Sequence, residues 1–137
     1  MMKEQPKQQV MEGTITLYSS RVKALFDTGA TYSFIAVKII QKLGIIPQKL
    51  DIALNAASPL GATVTLGHVC KDCPLHLEDH SLPANLIVLA MKEFDVILGV
   101  DWLTKYHAKL DYVRKRISFL VPRSQSFDFQ CNPISDT

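Results

Sequence analysis

Alternation of apolar and polar residues dominates this chain and predicts short strands. Residues 14–18 alternate as Thr14, Ile15, Thr16, Leu17, Tyr18, which suits a strand half-buried on one face. Ser19, Ser20 and Arg21 can turn the chain into 22–26, a second strand that runs apolar into Asp27. Residues 33–43 read as a helix: Ser33 is a cap, Val37, Ile39, Ile40 and Leu43 form a stripe, and Gly44 stands where a C′ glycine belongs. The β-branched residues there leave a strand open as the alternative. Residues 50–54 and 62–66 alternate around a small-residue stretch, 55–61, and predict a hairpin. Three short apolar segments follow over 68–89, broken at Cys73-Pro74, Asp79-His80-Ser81 and Pro83. The run 94–98 is continuously apolar after Asp95 and predicts a buried strand. Asp101 reads as the cap of a short helix over 102–106, with Trp102 as a packing anchor. Residues 109–112 and 116–120 predict a closing hairpin that turns at 113–115.

Many short strands with few helices argue for a mainly β domain. The pattern divides the chain into a flexible leader at 1–12, a domain at 13–121 and a tail at 122–137. No internal repeat suggests two lobes.

The candidate chemistry lies where the second strand ends, at Phe26-Asp27-Thr28-Gly29-Ala30. A carboxylate at the end of a buried strand must be hydrogen-bonded, paired or used, because a bare buried charge is expensive. Thr28 brings a hydroxyl, and Gly29 permits a turn that larger residues resist. The plain reading is a strand end followed by a turn, and three residues alone are a weak motif.

Composition narrows the field. At 137 residues, 47% hydrophobic and 20% charged, the chain can build one globular core. A net charge of +2, with basic residues scattered apart from Arg114-Lys115-Arg116, does not point to nucleic acid. No apolar run approaches the roughly 20 residues of a membrane-spanning helix. The polar start carries no signal-peptide core, and three cysteines fit a reducing compartment better than a disulfide scaffold.

The loop Phe26-Asp27-Thr28-Gly29-Ala30-Thr31 resembles the active-site loop of aspartic proteases in the retropepsin form used by retroviruses and LTR retrotransposons. Two further segments resemble the protease of Gypsy-type retrotransposon polyproteins. They are Phe94-Asp95-Val96-Ile97-Leu98-Gly99-Val100-Asp101-Trp102-Leu103 and Val69-Cys70-Lys71-Asp72-Cys73-Pro74-Leu75. The resemblance covers 14–119. It implies a mainly β fold, a small closed acid-protease (retropepsin) barrel subunit with one or two short helices. It also implies an aspartic endopeptidase that cuts extended peptides such as its own polyprotein, with no cofactor and no metal. The implied location is intracellular, cytoplasmic or within a virus-like particle.

Peptide hydrolysis by carboxylates needs one as base and one as acid. The chain carries one Asp-Thr-Gly, and Asp136-Thr137 lacks the glycine. One carboxylate cannot fill both roles, so a twofold-symmetric homodimer that pairs Asp27 with its copy is expected. The resemblance gives Thr28 a bond across that interface, with Gly29 and Ala30 shaping the loop. Ser58, Pro59, Leu60 and Gly61 are the candidate flap, stiffer than the glycine-rich retroviral tip. Ile97, Leu98 and Gly99 are expected to pack under the catalytic loop.

Two other readings compete. Cys70 and Cys73, with His76 and His80, have some zinc-ligand character, but only Pro74 and Leu75 separate the pairs, too few for an unstrained finger. The plain reading is two edge-strand cysteines with exposed histidines. A redox Cys-x-x-Cys lacks a following helix N-terminus to activate a thiol. Cys131, in the expected tail, is a poor catalytic nucleophile. The alternative for the whole domain is a catalytically silent retropepsin-fold module for dimerisation or peptide binding.

Overall fold

The computed structural model describes residues 10–57, 63–121 and 126–132, with backbone alone for 51–57 and 63–66. The described chain is mainly β with two short helices, the class that the alternation predicts. In chain order the elements are β1 (Val10–Leu17), β2 (Ser20–Asp27), β3 (Phe34–Ala36), α1 (Val37–Leu43), β4 (Gln48–Ala57), β5 (Thr63–Cys73), β6 (Leu75–Leu77), β7 (His80–Ser81), β8 (Ala84–Leu89), β9 (Val96–Leu98), α2 (Val100–Lys105), β10 (Lys109–Asp111), β11 (Arg116–Phe119) and β12 (Phe127–Gln130). A nine-stranded sheet runs β4-β5-β8-β3-β9-β2-β1-β6-β7, and a three-stranded sheet runs β10-β11-β12.

The first hairpin has the tightest loop available. Leu17 pairs with Ser20, and the two residues between, Tyr18 and Ser19, both take positive φ (49° and 67°). That backbone hand matches the twist of the flanking strands. The pairing continues to Val10 opposite Asp27, so the strand starts inside the stretch expected to be leader. Met11 continues the inward alternation and is fully buried, which ties this segment down.

Residues 33–36 correct the expected helix. Ser33 is not a helix cap, and Phe34–Ala36 are a strand, parallel to β8 and antiparallel to β9. Helix α1 begins only at Val37, after Ala36 in extended conformation (φ −71°, ψ 142°) and without a side-chain cap. Pairing on both edges overrides the local helical pattern, and the β-branched Ile35 suits it. The helix ends as expected: Gly44 is left-handed (φ 66°), and the Gly44 and Ile45 N–H groups donate to the carbonyls of Gln41 and Ile40.

The expected tail is also partly a strand. Phe127–Gln130 pairs along β11, and Phe129 and Cys131 point into the core. Phe129 lies 5.8 Å from Phe26, ring centre to ring centre, and a Cβ on Gly13 would come within 2.9 Å of the Phe129 ring. Thus β12 packs its aromatic side chain onto bare backbone in β1. Trp102 anchors the same region: it is buried, contacts Phe26, Tyr106 and Phe119, and donates through its indole N–H to the Leu82 carbonyl (3.0 Å). Among the described residues, no helix is long and apolar enough to cross a membrane.

Candidate active site

Strand β2 delivers Asp27 from the middle of the large sheet. It lies between β1 and β9, and its partner β9 runs parallel, with Leu25 opposite Ile97 and Phe26 opposite Leu98. A strand covered on both faces reads as continuous apolar residues, which is why 24–26 lack alternation. Asp27 is buried, while Thr28 and Gly29 directly after it are exposed. The Gly29 N–H donates to Asp27 Oδ1 (2.8 Å), and the Ala30 N–H donates to the Asp27 carbonyl (3.2 Å). The loop therefore turns back on the carboxylate and supplies it with a backbone donor.

The joint between β9 and α2 holds the other end of this loop. The Val100 N–H donates to the Ala30 carbonyl (2.7 Å), and the Asp101 N–H donates to the Thr31 carbonyl (3.2 Å). Gly99 allows this approach. A Cβ there would stand 2.3 Å from the Tyr32 carbonyl oxygen and 2.5 Å from that of Ala30, both backbone atoms with little room to yield. Ile97 and Leu98 are buried in the central strand, so Ile97, Leu98 and Gly99 all stand against β2 and the loop that follows Asp27.

Two residues that the sequence reading assigned to helix caps meet here. Ser33 is fully buried; its hydroxyl donates to Asp101 Oδ1 (2.6 Å) and accepts from the Gly99 N–H (2.9 Å). Asp101 Oδ1 also accepts from the Trp102 N–H (2.7 Å), inside the first turn of α2 rather than before it. One hydroxyl thus links the loop, the central strand and the helix. A Ser six residues after Asp27 and an Asp two after the Ile97-Leu98-Gly99 turn were the available signal, but each also fits a cap.

A cavity of about 430 Å³ opens beside Thr28, bordered by Val100, Leu103, Thr104, His107 and Leu110. Val100 is 41% exposed, an apolar residue on the rim of the loop. The flap residues Ser58, Pro59, Leu60 and Gly61 lie outside the described residues; up to Ala57 opposite Thr63, β4 and β5 pair as an antiparallel hairpin.

The cysteine cluster is placed differently from its edge-strand reading. Strand β5 lies between β4 and β8, and Cys70 and Cys73 are buried. His80 is half-buried and stacks on Phe127, ring centres 3.6 Å apart. Among the described residues, no three or more His, Cys, Asp or Glu side chains gather as metal ligands.

Comparison with known proteins bears on the fold and the family. Over 98 residues the chain is 30% identical to the UBA domain-containing protein Mud1 of Schizosaccharomyces pombe, covering 71% of this chain and 29% of that protein. It is 26% identical over 103 residues to DNA damage-inducible protein 1 of Neurospora crassa, covering 75% and 23%. The chain thus spans less than a third of the curated relatives it matches. The crystal structure of the retroviral protease-like domain of Ddi1 from Leishmania major superposes with a TM-score of 0.66 at 18% identity, covering 96% of this chain and all of that one, a likeness of fold. Neither curated relative bears a retrotransposon name, so the Gypsy-type origin implied by the resemblance is not carried by them. The family model for retroviral aspartyl proteases matches residues 2–125, and the chain belongs to that family.

Proposed function

We propose that the chain is an aspartic endopeptidase acting on extended peptides, with its active site completed by a second copy. The observation that carries this reading is Asp27 at the end of a buried strand, cradled by the Gly29 N–H in a loop clamped to the Gly99 turn. Two such carboxylates at a twofold axis share one proton. The ionised partner takes a proton from water as that water attacks the scissile carbonyl, and the protonated partner donates to the carbonyl oxygen. Sharing of the proton is the established behaviour of aspartic-protease dyads, and membership of the family supports extending it to Asp27.

Asp27 is covered in the single chain, so substrate and second carboxylate must approach from the exposed Thr28–Gly29 side. Thr28 is expected to bond across the interface, and the hairpin of β4 and β5 to cover the peptide with its 58–61 tip. A polyprotein of the retrotransposon type is one such extended substrate, favoured by the three resembling segments.

Purified protein incubated with a peptide library at mildly acidic pH tests the proposal by mass spectrometry of the products. Asp27→Asn is expected to lower the cleavage rate by at least roughly 10²–10⁴-fold, the usual worth of a positioned acid or base. Wild-type protein that is dimeric by sedimentation yet cleaves nothing would overturn the enzyme reading in favour of a silent binding module.

A further inference from the structure

The bulge in β5 puts two thiols on one face. Cys70 pairs with Leu86 and Cys73 with Ala84, so three steps along β5 are matched by two along β8. In a regular strand, residues three apart point to opposite faces. The extra residue removes that difference, and both cysteines face the core. Asp72 absorbs the distortion with φ 49°, and its N–H, displaced from the ladder, donates to Asn85 Oδ1 (2.8 Å). Two strand rises on the partner, about 6.8 Å, set the spacing of the two cysteine backbones. That lies at the upper end of the roughly 4.4–6.8 Å a disulfide spans. Cys70 and Cys73 are both buried, so the two thiols share one dry stretch of the core beside the bulge.

We propose that Cys70 and Cys73 form a dithiol–disulfide couple, oxidised within the chain by small peroxides. The hydrogen bond from Cys73 lowers the Cys70 pKa, against the opposing effect of burial. The same bond, with burial, raises Cys73. With Cys70 as the attacking thiol, Cys73, brought beside it by the bulge, is the resolving thiol.

The chemistry balances with hydrogen peroxide as oxidant. The Cys70 thiolate attacks one peroxide oxygen, the O–O bond breaks, and hydroxide leaves to take up a proton as water. The Cys70 sulfenic acid is then displaced at sulfur by Cys73, releasing the second water as the S–S bond forms. Two thiols lose two electrons, and one peroxide is reduced to two waters. The exposed Lys71 and Asp72 lie between the cysteines, so opening of the bulge alone admits the oxidant.

Cys131 is the internal control. It is buried and stands alone, with its thiol pushed up to about 12 by burial. The full chain is treated with hydrogen peroxide under native conditions, alkylated, digested and mapped by mass spectrometry without reduction. The expected result is a Cys70–Cys73 cross-link with Cys131 alkylated, a loss of two of the three thiols that dithiothreitol reverses. Cys73→Ser is expected to leave a Cys70 sulfenic acid that dimedone traps. Alkylation of both Cys70 and Cys73 in peroxide-treated wild-type protein would overturn the proposal, as would a cross-link through Cys131. Because the wild-type map reads the bond directly, a variant that fails to fold does not blunt the test. None of these readouts depends on peptidase activity.

Discussion

Ser33 is the residue on which the candidate site depends most after Asp27. Its hydroxyl is buried between a carboxylate and a backbone N–H, so removing it leaves the Gly99 N–H and Asp101 without that partner. A buried group deprived of its hydrogen bond costs about 1–3 kcal/mol. Ser33→Ala is therefore expected to lower unfolding free energy by about that amount in urea titration, and Ser33→Thr to recover part of it by keeping the hydroxyl. Equal stability of Ser33→Ala and wild type would show that the hydroxyl does not bind the loop to α2. Cys131 carries a second prediction at this scale. Burial raises its thiol from the ordinary 9.0 to about 12. The folded state then holds a proton that the unfolded state releases, so its contribution is complete below pH 9 and is lost as pH rises toward 12. Cys131→Ala is expected to flatten the alkaline fall of the melting temperature relative to wild type, and parallel curves would refute it.

At the scale of elements, what the sequence shows and what it hides divide along the chain. The buried strand before Asp27, the strand ending in Ile97-Leu98, the hairpin at 113–115 and the glycine end of α1 are legible because each carries its own local chemistry. Asp111 shows this at the hairpin: it accepts from the Val113 and Arg114 N–H groups, so the turn is written in one side chain. The segment 33–36 is not legible, because β8 and β9 decide its conformation from far along the chain. The same holds for Ser33 and Asp101, which look like caps until the fold brings them together. Strand β12 is missed for another reason: a strand of four residues is too short to show a period. Its side chains nevertheless matter. Phe129 is buried against Phe26, one residue before Asp27. Phe129→Ala is expected to cost roughly 3–5 kcal/mol, the usual loss for a core phenylalanine, measured by chemical denaturation. A change under about 1 kcal/mol, the level of ordinary surface substitutions or slightly above, would mean that β12 merely rests on the domain.

For the whole molecule, the decisive quantity is how activity depends on protein concentration. Each chain contributes one Asp27, placed beside the exposed Thr28, Gly29 and Val100 and next to a cavity bordered by apolar α2 residues. An enzyme that needs two such faces together loses its active form by mass action when diluted. Under the proposed mechanism, peptide cleavage per chain falls in proportion to concentration well below the dimer dissociation constant and levels off above it. If the proposed dimer forms across the exposed Thr28–Gly29 face, Val100→Asp on its rim adds a carboxylate from each copy, and like charges repel. That substitution is expected to move the concentration of half-maximal activity upward by roughly tenfold or more, the effect of about 1.4 kcal/mol, while leaving the melting behaviour of the single chain close to wild type because Val100 is exposed. Stopped dilution series followed with a fluorogenic peptide, alongside sedimentation at the same concentrations, measure both quantities. Cleavage per chain that stays constant into the monomeric range would mean that a single Asp27 suffices or that another group supplies the second acid, and either outcome removes the twofold dyad from the mechanism.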